Sequence, residues 1–259
     1  MRTPILFLGH GSPINAIEEN DFVEGFRKIS KEILKPKAIL CISAHWFINK
    51  TKVLFMEKPR TIHDFYGFPP ELYEIQYPAL GNKALAQEIQ DLASPIKVDL
   101  DLEWGLDHGA WSVIKHLYPL ADIPVIQLSI DYNKGAEFHF SLASKLKSLR
   151  EKGVLIIGSG NIVHNLRLVD YANFDKDDYG YDWAVETRDF INQKLIEGDF
   201  QALIDYEKSV PHALKAIPSP DHYLPLIYSL GAKHPEENIS FFNNKMQGGS
   251  LSMTSLFIK

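Results

Sequence analysis

The chain has 259 residues, 45% of them apolar, and a formal net charge of −6 with acids and bases interspersed. No basic block of the kind that neutralises nucleic-acid phosphates is present, and no apolar run approaches the roughly 20 residues that cross a bilayer, so neither nucleic acid nor membrane is an expected partner. A single cysteine, Cys41, leaves no internal disulfide to form and sits in an apolar run, as a buried core thiol in a reducing cytosol does.

In chain order, the first apolar run, Ile5 to Leu8, reads as a buried strand that stops at Gly9-His10-Gly11-Ser12-Pro13. It is too short for a secretory leader, and a cytoplasmic location is expected. Phe22, Phe26, Ile29 and Ile33 follow at i, i+4, i+7 and i+11, the spacing of one helix face. Ala38 to Ser43 is a second strand with His45 two residues beyond it, and Val53 to Met56 a third. Leu85, Ile89 and Leu92 mark a helix, Val98 to Leu100 and Pro124 to Ile130 two more strands, and Leu142, Leu146 and Leu149 another helix. Val154 to Ile157 is a strand leading through "GSGNIVH" to His164. The stretch "NFDKDDYGYD" lacks the spacing of a calcium loop and reads as solvated; after it, Tyr181, Trp183, Phe190 and Leu195 mark a buried helix face. Leu251 to Ile258 closes the series.

Nearly continuous apolar strands alternating with helices predict an α/β fold, a layered and largely parallel or mixed sheet with helices on both faces. No repeat, low-complexity tract or long linker divides it, so one domain over residues 1–259 is expected. In such sheets sites form at the carboxyl edge of the strands, where His10, His45 and His164 all emerge.

The chain holds ten histidines. His116, His139 and His234 lie in helical or turn patterns and read as structural, as does His212. The other six, His10, His45, His63, His108, His164 and His222, sit in loop contexts beside Gly, Asp, Trp, Pro or Asn. Six imidazoles so placed point to a transition metal, for which neutral imidazole is the commonest protein ligand. Other chemistries lack their signatures. "GSGNIVH" has His164 where a dinucleotide loop needs its third glycine, and H-E-x-x-H, G-x-S-x-G and a phosphate-binding G-x-x-x-x-G-K-[ST] are all missing.

The blocks "FLGHGSP", "SAHWF", "TIHDFYGFP", "WGLDHGAW", "IPVIQLSID", "GSGNIVHNLR", "PDHYLPLIYSLGA" and "GGSLSMTS", in this order over nearly the whole length, resemble class III extradiol ring-cleavage dioxygenases of the 4,5-DOPA dioxygenase-like branch. The resemblance implies an oxidoreductase that opens the ring of a DOPA-like catechol with dioxygen, incorporating both oxygen atoms, to give a semialdehyde. It makes His10, His45 and His222 metal ligands, with His164 the acid/base residue that also lies close enough to coordinate. His108 would face the catechol or oxygen, and His63 and Tyr223 would contact substrate. Trp46, Phe65, Tyr66, Phe68, Trp104 and Trp111 are further candidates for the pocket wall. Ring-cleaving relatives commonly bind iron(II) through two histidines and a carboxylate; here the third block offers His222, with Asp221 one residue earlier, so the implied cofactor is one divalent ion, Fe(II) for dioxygenase activity or Zn(II). A small ortho-diol and dioxygen are the implied partners, and the chain is expected to be a monomer or small homo-oligomer. Two rival readings remain at this stage: a zinc hydrolase on the same ligands, and a noncatalytic metal-binding interaction protein.

Overall fold

Val154–Gly160 is buried at all seven positions because parallel strands flank it on both sides and helices cover both faces. Its neighbours are Ile5–Gly9 and Ala38–Ile48, and the computed structural model, which describes residues 2–259, builds an eight-stranded sheet around these three. The spatial order is Asp99–Asp101, Lys52–Leu54, Val125–Asp131, Ala38–Ile48, Val154–Gly160, Ile5–Gly9, Ser255–Ile258 and Ile239–Phe242. The core of the sheet is parallel, while Ser255–Ile258 runs antiparallel to both of its neighbours and Lys52–Leu54 antiparallel to Val125–Asp131. Fold class is therefore as the alternation of apolar strands and helices indicates.

Period-two side-chain alternation divides the core into two layers. Ile5, Phe7, Leu40 and Ile42 join one cluster with the helices Lys83–Ala93, Ala136–Leu146, Asp182–Glu197 and Leu224–Gly231. Leu6, Leu8, Ile39 and Cys41 join the other, with the helices Asp21–Ser30 and His108–Leu117. Side-chain caps start several helices: Asn20 accepts from Val23 N, Asn82 from Leu85 N and Asp107 from Ala110 N.

Element ends differ from the periodic reading where a local bond wins over the apolar pattern. The first helix stops at Ser30, with Ile33 reaching the core from the turn beyond, and Leu149 falls in a 3-10 segment, Lys147–Lys152, after the third helix has ended at Leu146. The run from Leu251 splits, Leu251–Ser252 pairing with Met246–Gln247 in a small ribbon and Ser255–Ile258 entering the main sheet. None of the helices among the described residues is long and apolar enough to cross a membrane.

At the sheet edge away from the histidines, Arg150 is fully buried and donates to Thr3 O, Ala232 O and the Glu237 carboxylate. Glu237→Ala leaves that guanidinium with two carbonyl acceptors and no counter-charge, and should cost about 3 kcal/mol at pH 7 in urea unfolding. Although burial opposes ionisation of Glu237, its bonds to Arg150 and to the His234 N–H hold the folded pKa below 4.5. A depressed carboxyl stabilises fully above its unfolded pKa and loses that contribution as pH falls through the folded value, so the gap between wild type and variant should close below about pH 4.

Candidate metal centre

The register of the three central strands sets the heights of two histidines. Leu8 and Ser43 both pair with Ser159 of the strand between them. His10 and His45 each lie two residues further on, so parallel strands carry both to one level on either side of Ser159. His10 directly follows its strand, which ends at Gly9. His45 does not lie beyond its strand, which runs on to Ile48; it lies in a bulge, where the chain goes from Ile42 to Phe47 while its partner goes only from Leu128 to Ile130. The bulge re-aims the side chain out of the sheet's alternation and towards His10.

His222 arrives from a separate segment, the 3-10 turn Pro220–His222 ahead of Leu224–Gly231. Its carbonyl accepts from Asn161 N at 2.9 Å and passes so close to Gly160 that a Cβ there would lie 2.1 Å from it. Gly109 similarly gives room to His45, whose Cδ2 would be 2.6 Å from an added Cβ. Only glycine lets these backbones approach.

His10, His45 and His222 each bring a ring nitrogen within 4.8 Å of the others. Their outer nitrogens are tied off. His10 Nδ1 lies 3.0 Å from Ser159 Oγ, whose proton is committed to Gly109 O at 2.5 Å, so the imidazole must donate through Nδ1. His222 Nδ1 is 2.8 Å from Asp221 Oδ2, and His45 Nδ1 is 3.3 Å from Asp64 Oδ2. Each partner is an acceptor and leaves the Nε2 lone pair pointing inward. His10 Nε2 and His45 Nε2 stand 3.3 Å apart. Burial, together with the surrounding imidazoles, holds the pKa of both rings well below the usual histidine range. Neutral lone pairs aimed at one another repel, and a cation between them removes the repulsion; this donor set fits one transition-metal ion.

A second layer fixes the site. Asp64 bridges His45 and His108: Oδ1 accepts from the His108 N–H at 2.9 Å and lies 3.0 Å from His108 Nδ1. Burial opposes ionisation of Asp64, but the bonds and charge of His108 carry its pKa below the ordinary value. For Asp221 burial is likewise outweighed by the His222 contact, and its carboxyl falls to about 2. Asp107, fully buried, accepts from Ser43 Oγ at 2.6 Å and Gln127 Nε2 at 2.7 Å while capping the helix that begins at His108; burial pushes its pKa up. His164 lies outside the set of three. Its ring stacks on His222 with centroids 3.5 Å apart and planes 7° from parallel.

A cavity of about 610 Å³ opens above the imidazoles, lined by His10, His45, His108, His164 and His222 and walled by Phe65, Tyr66 and Phe68. Two expected substrate contacts stand elsewhere. Tyr223 is fully buried, its hydroxyl donating to Leu203 O at 2.9 Å, and His63 is bonded through Nε2 to Ile75 O at 2.9 Å; neither lines the cavity. Trp46, Trp104 and Trp111 are also outside it, the first two stacked 3° from parallel and the third bonded to Ile62 O. Of the histidines read as structural, His116 bonds Asn15 O, His139 meets the Tyr228 hydroxyl and His212 meets Glu186, all away from the centre. Asp64 and Ser159 escaped the sequence reading. Asp64 stands next to His63 in "IHDF", and Ser159 inside a glycine-bounded strand end; in a metal site a carboxylate or hydroxyl near histidine is the signal for an orienting partner.

A family model described as the catalytic LigB subunit of aromatic ring-opening dioxygenase matches residues 4–250. An Escherichia coli (strain K12) protein named 4,5-DOPA dioxygenase extradiol is 45% identical, the match covering 99% of this chain and 95% of that one. A Beta vulgaris protein of the same name is 37% identical, covering 96% and 94%. The crystal structure of an uncharacterized protein from Escherichia coli K12 superposes with a TM-score of 0.86 at 40% identity, covering 100% of both chains. With its histidine cluster at the carboxyl edge of a mostly parallel sheet, the chain belongs to the LigB family of aromatic ring-opening dioxygenases.

Proposed function

We propose that this enzyme opens the ring of a catechol beside its two hydroxyls, using dioxygen, with one divalent metal held by His10, His45 and His222. The observation that carries this reading is the convergence of ring nitrogens from His10, His45 and His222 on the floor of an aromatic-walled cavity wide enough for a flat ring. Iron(II) bound there would supply the redox chemistry between diol and dioxygen, whereas zinc would supply Lewis acidity alone. The three imidazoles add no charge to the ligands on the metal, and the carboxylates of Asp221 and Asp64 lie one step further out behind His222 and His45, so a diol anion would be the one negatively charged group on the metal itself.

The chain's own side chains then have separate tasks. His164, at the cavity wall beside His222, takes the proton that the diol gives up on binding; burial holds its pKa well below the usual histidine range, so the ring stands neutral with a lone pair free to accept. His108, whose backbone N–H donates to Asp64 and whose Nδ1 lies 3.0 Å from the same carboxylate, lines the cavity and positions the oxygen-bearing side of the substrate. Phe65 meets His108 edge to face, with centroids 5.4 Å apart, and helps to keep water from the reacting face.

The test is anaerobic reconstitution with iron(II) or with zinc, followed by a catechol and air. With iron, and not with zinc, a yellow semialdehyde and stoichiometric oxygen uptake are expected. Hydrolysis of esters or amides by the zinc form, without ring opening by the iron form, would replace this reading with a hydrolase.

A further inference from the structure

Two exposed tyrosines, Tyr66 and Tyr171, stand in the lining of the cavity above the imidazoles, and they differ in what they touch. Tyr171 lies alongside Phe174, the ring planes 17° apart and the centroids at 6.3 Å. Tyr66 is 91% exposed, more than any other large apolar or aromatic side chain among the described residues. Among those residues its ring has neither an aromatic neighbour nor a hydrogen-bond partner. The chain on either side of it is anchored. Asp64 accepts from the His108 N–H at 2.9 Å, and Phe65 is buried and meets both His108 and Phe68 edge to face at 5.4 Å. Phe68 in turn packs on the core. Tyr66 and Gly67 therefore form a two-residue tip between fixed ends. Gly67 has a φ of +80°, and a Cβ built there would meet nothing within 4 Å, so the tip has open space to turn in.

We propose that Tyr66 is a substrate-contact residue, whose ring turns over the mouth of the cavity and covers a diol bound below it. The two diol oxygens go to the metal at the floor, so the substituted edge of the catechol is the part that reaches the mouth, where Tyr66 stands. A phenol ring left in water at the rim of a site keeps apolar surface still to bury, and a flat aromatic substrate offers the face on which to bury it. Because Asp64 and Phe65 are held independently, the tip moves without disturbing His108. This rests on the catechol reading and adds to it the residue that closes the site over the ring.

Zinc-loaded protein, which binds a diol without turning it over, tests this under anaerobic calorimetry with L-DOPA as the probe. Tyr66→Ala is expected to weaken L-DOPA binding about tenfold, and Tyr66→Phe to stay within about twofold of wild type, because the face and not the hydroxyl makes the contact. Zinc content and the thermal transition should be those of wild type in both variants, since so exposed a ring supports nothing else. In the iron form kcat/KM should fall by the same factor in Tyr66→Ala. The indole that Tyr66→Trp introduces should be open to acrylamide quenching in the free protein and lose most of that quenching with L-DOPA bound, wild type giving the background of the four native tryptophans. Unchanged affinity in Tyr66→Ala overturns the inference, as does an indole equally accessible with and without L-DOPA. A loss in Tyr66→Phe equal to that in Tyr66→Ala overturns the ring contact and assigns the affinity to the hydroxyl. If the wild-type zinc form binds neither L-DOPA nor catechol, the catechol reading itself fails and takes this inference with it.

Discussion

His10→Ala is expected to give a folded protein that neither retains metal nor turns over. His10 is 2% exposed, but among the described residues the one hydrogen bond of its ring outside the histidine cluster is to Ser159 Oγ, and that hydroxyl keeps its other partner, Gly109 O, when the imidazole is gone. Removing it also relieves the crowding of neutral imidazoles at 3.3 Å, so the thermal transition should move little. The loss falls on the metal, because two imidazoles from separate segments remain where three converged. Outer partners of metal-bound histidines are worth about 10–100-fold in affinity, and a direct ligand more than that. Ser159→Ala supplies the calibration: it frees the His10 ring to take either tautomer and should weaken metal by about 10–100-fold without abolishing it. Metal content by mass spectrometry after dialysis against excess iron(II) or zinc, beside circular dichroism, reads both. A His10→Ala protein that holds one ion per chain as tightly as wild type would mean that the three imidazoles do not form the centre.

How far the sequence carries to this site depends on whether a residue's role is set by its strand or by its contacts. The strand ends at Gly9 and Gly160 are visible as apolar runs broken by glycine, and parallel geometry then brings His10 and its supports to one edge. His45 is harder, because a bulge and not a strand end aims it, and the bulge is defined by the register of a partner more than 80 residues away. His63 and Tyr223 show the opposite failure. Both sit in blocks rich in site residues, yet a carbonyl of Ile75 takes one and a carbonyl of Leu203 the other, and no periodicity announces which neighbour a loop side chain will bond. The tryptophans went the same way: Trp46 lies in the bulged strand beside His45, but its large ring is satisfied by stacking on Trp104 in the core. Asp64 and Ser159 are the converse, short polar residues that become decisive only once a ring nitrogen lies beside them.

His164→Ala should separate proton transfer from metal binding, leaving metal affinity within a few-fold of wild type while kcat falls by about 10²–10⁴. The backbone that carries His164 is fixed independently of its ring: its N–H donates to Ala216 O at 2.8 Å, and it bridges Leu251 across the chain. Truncation at Cβ therefore removes the imidazole and little else. What His222 loses is a stacked neighbour at 3.5 Å; what it keeps is Asp221 at 2.8 Å, the contact that fixes its tautomer and aims Nε2 at the centre. Because His164 stands outside the cluster of three, its removal subtracts no donor from that cluster. Oxygen uptake by the iron-reconstituted variant, set against its metal content, distinguishes the outcomes. Metal loss equal to that of His10→Ala would make His164 a fourth ligand, and unchanged turnover would move the proton acceptor to another group in the cavity, of which His108 is the nearest by chemistry. The intermediate result, full metal with slow turnover, is the one that a stacked, non-ligating imidazole at the cavity wall requires.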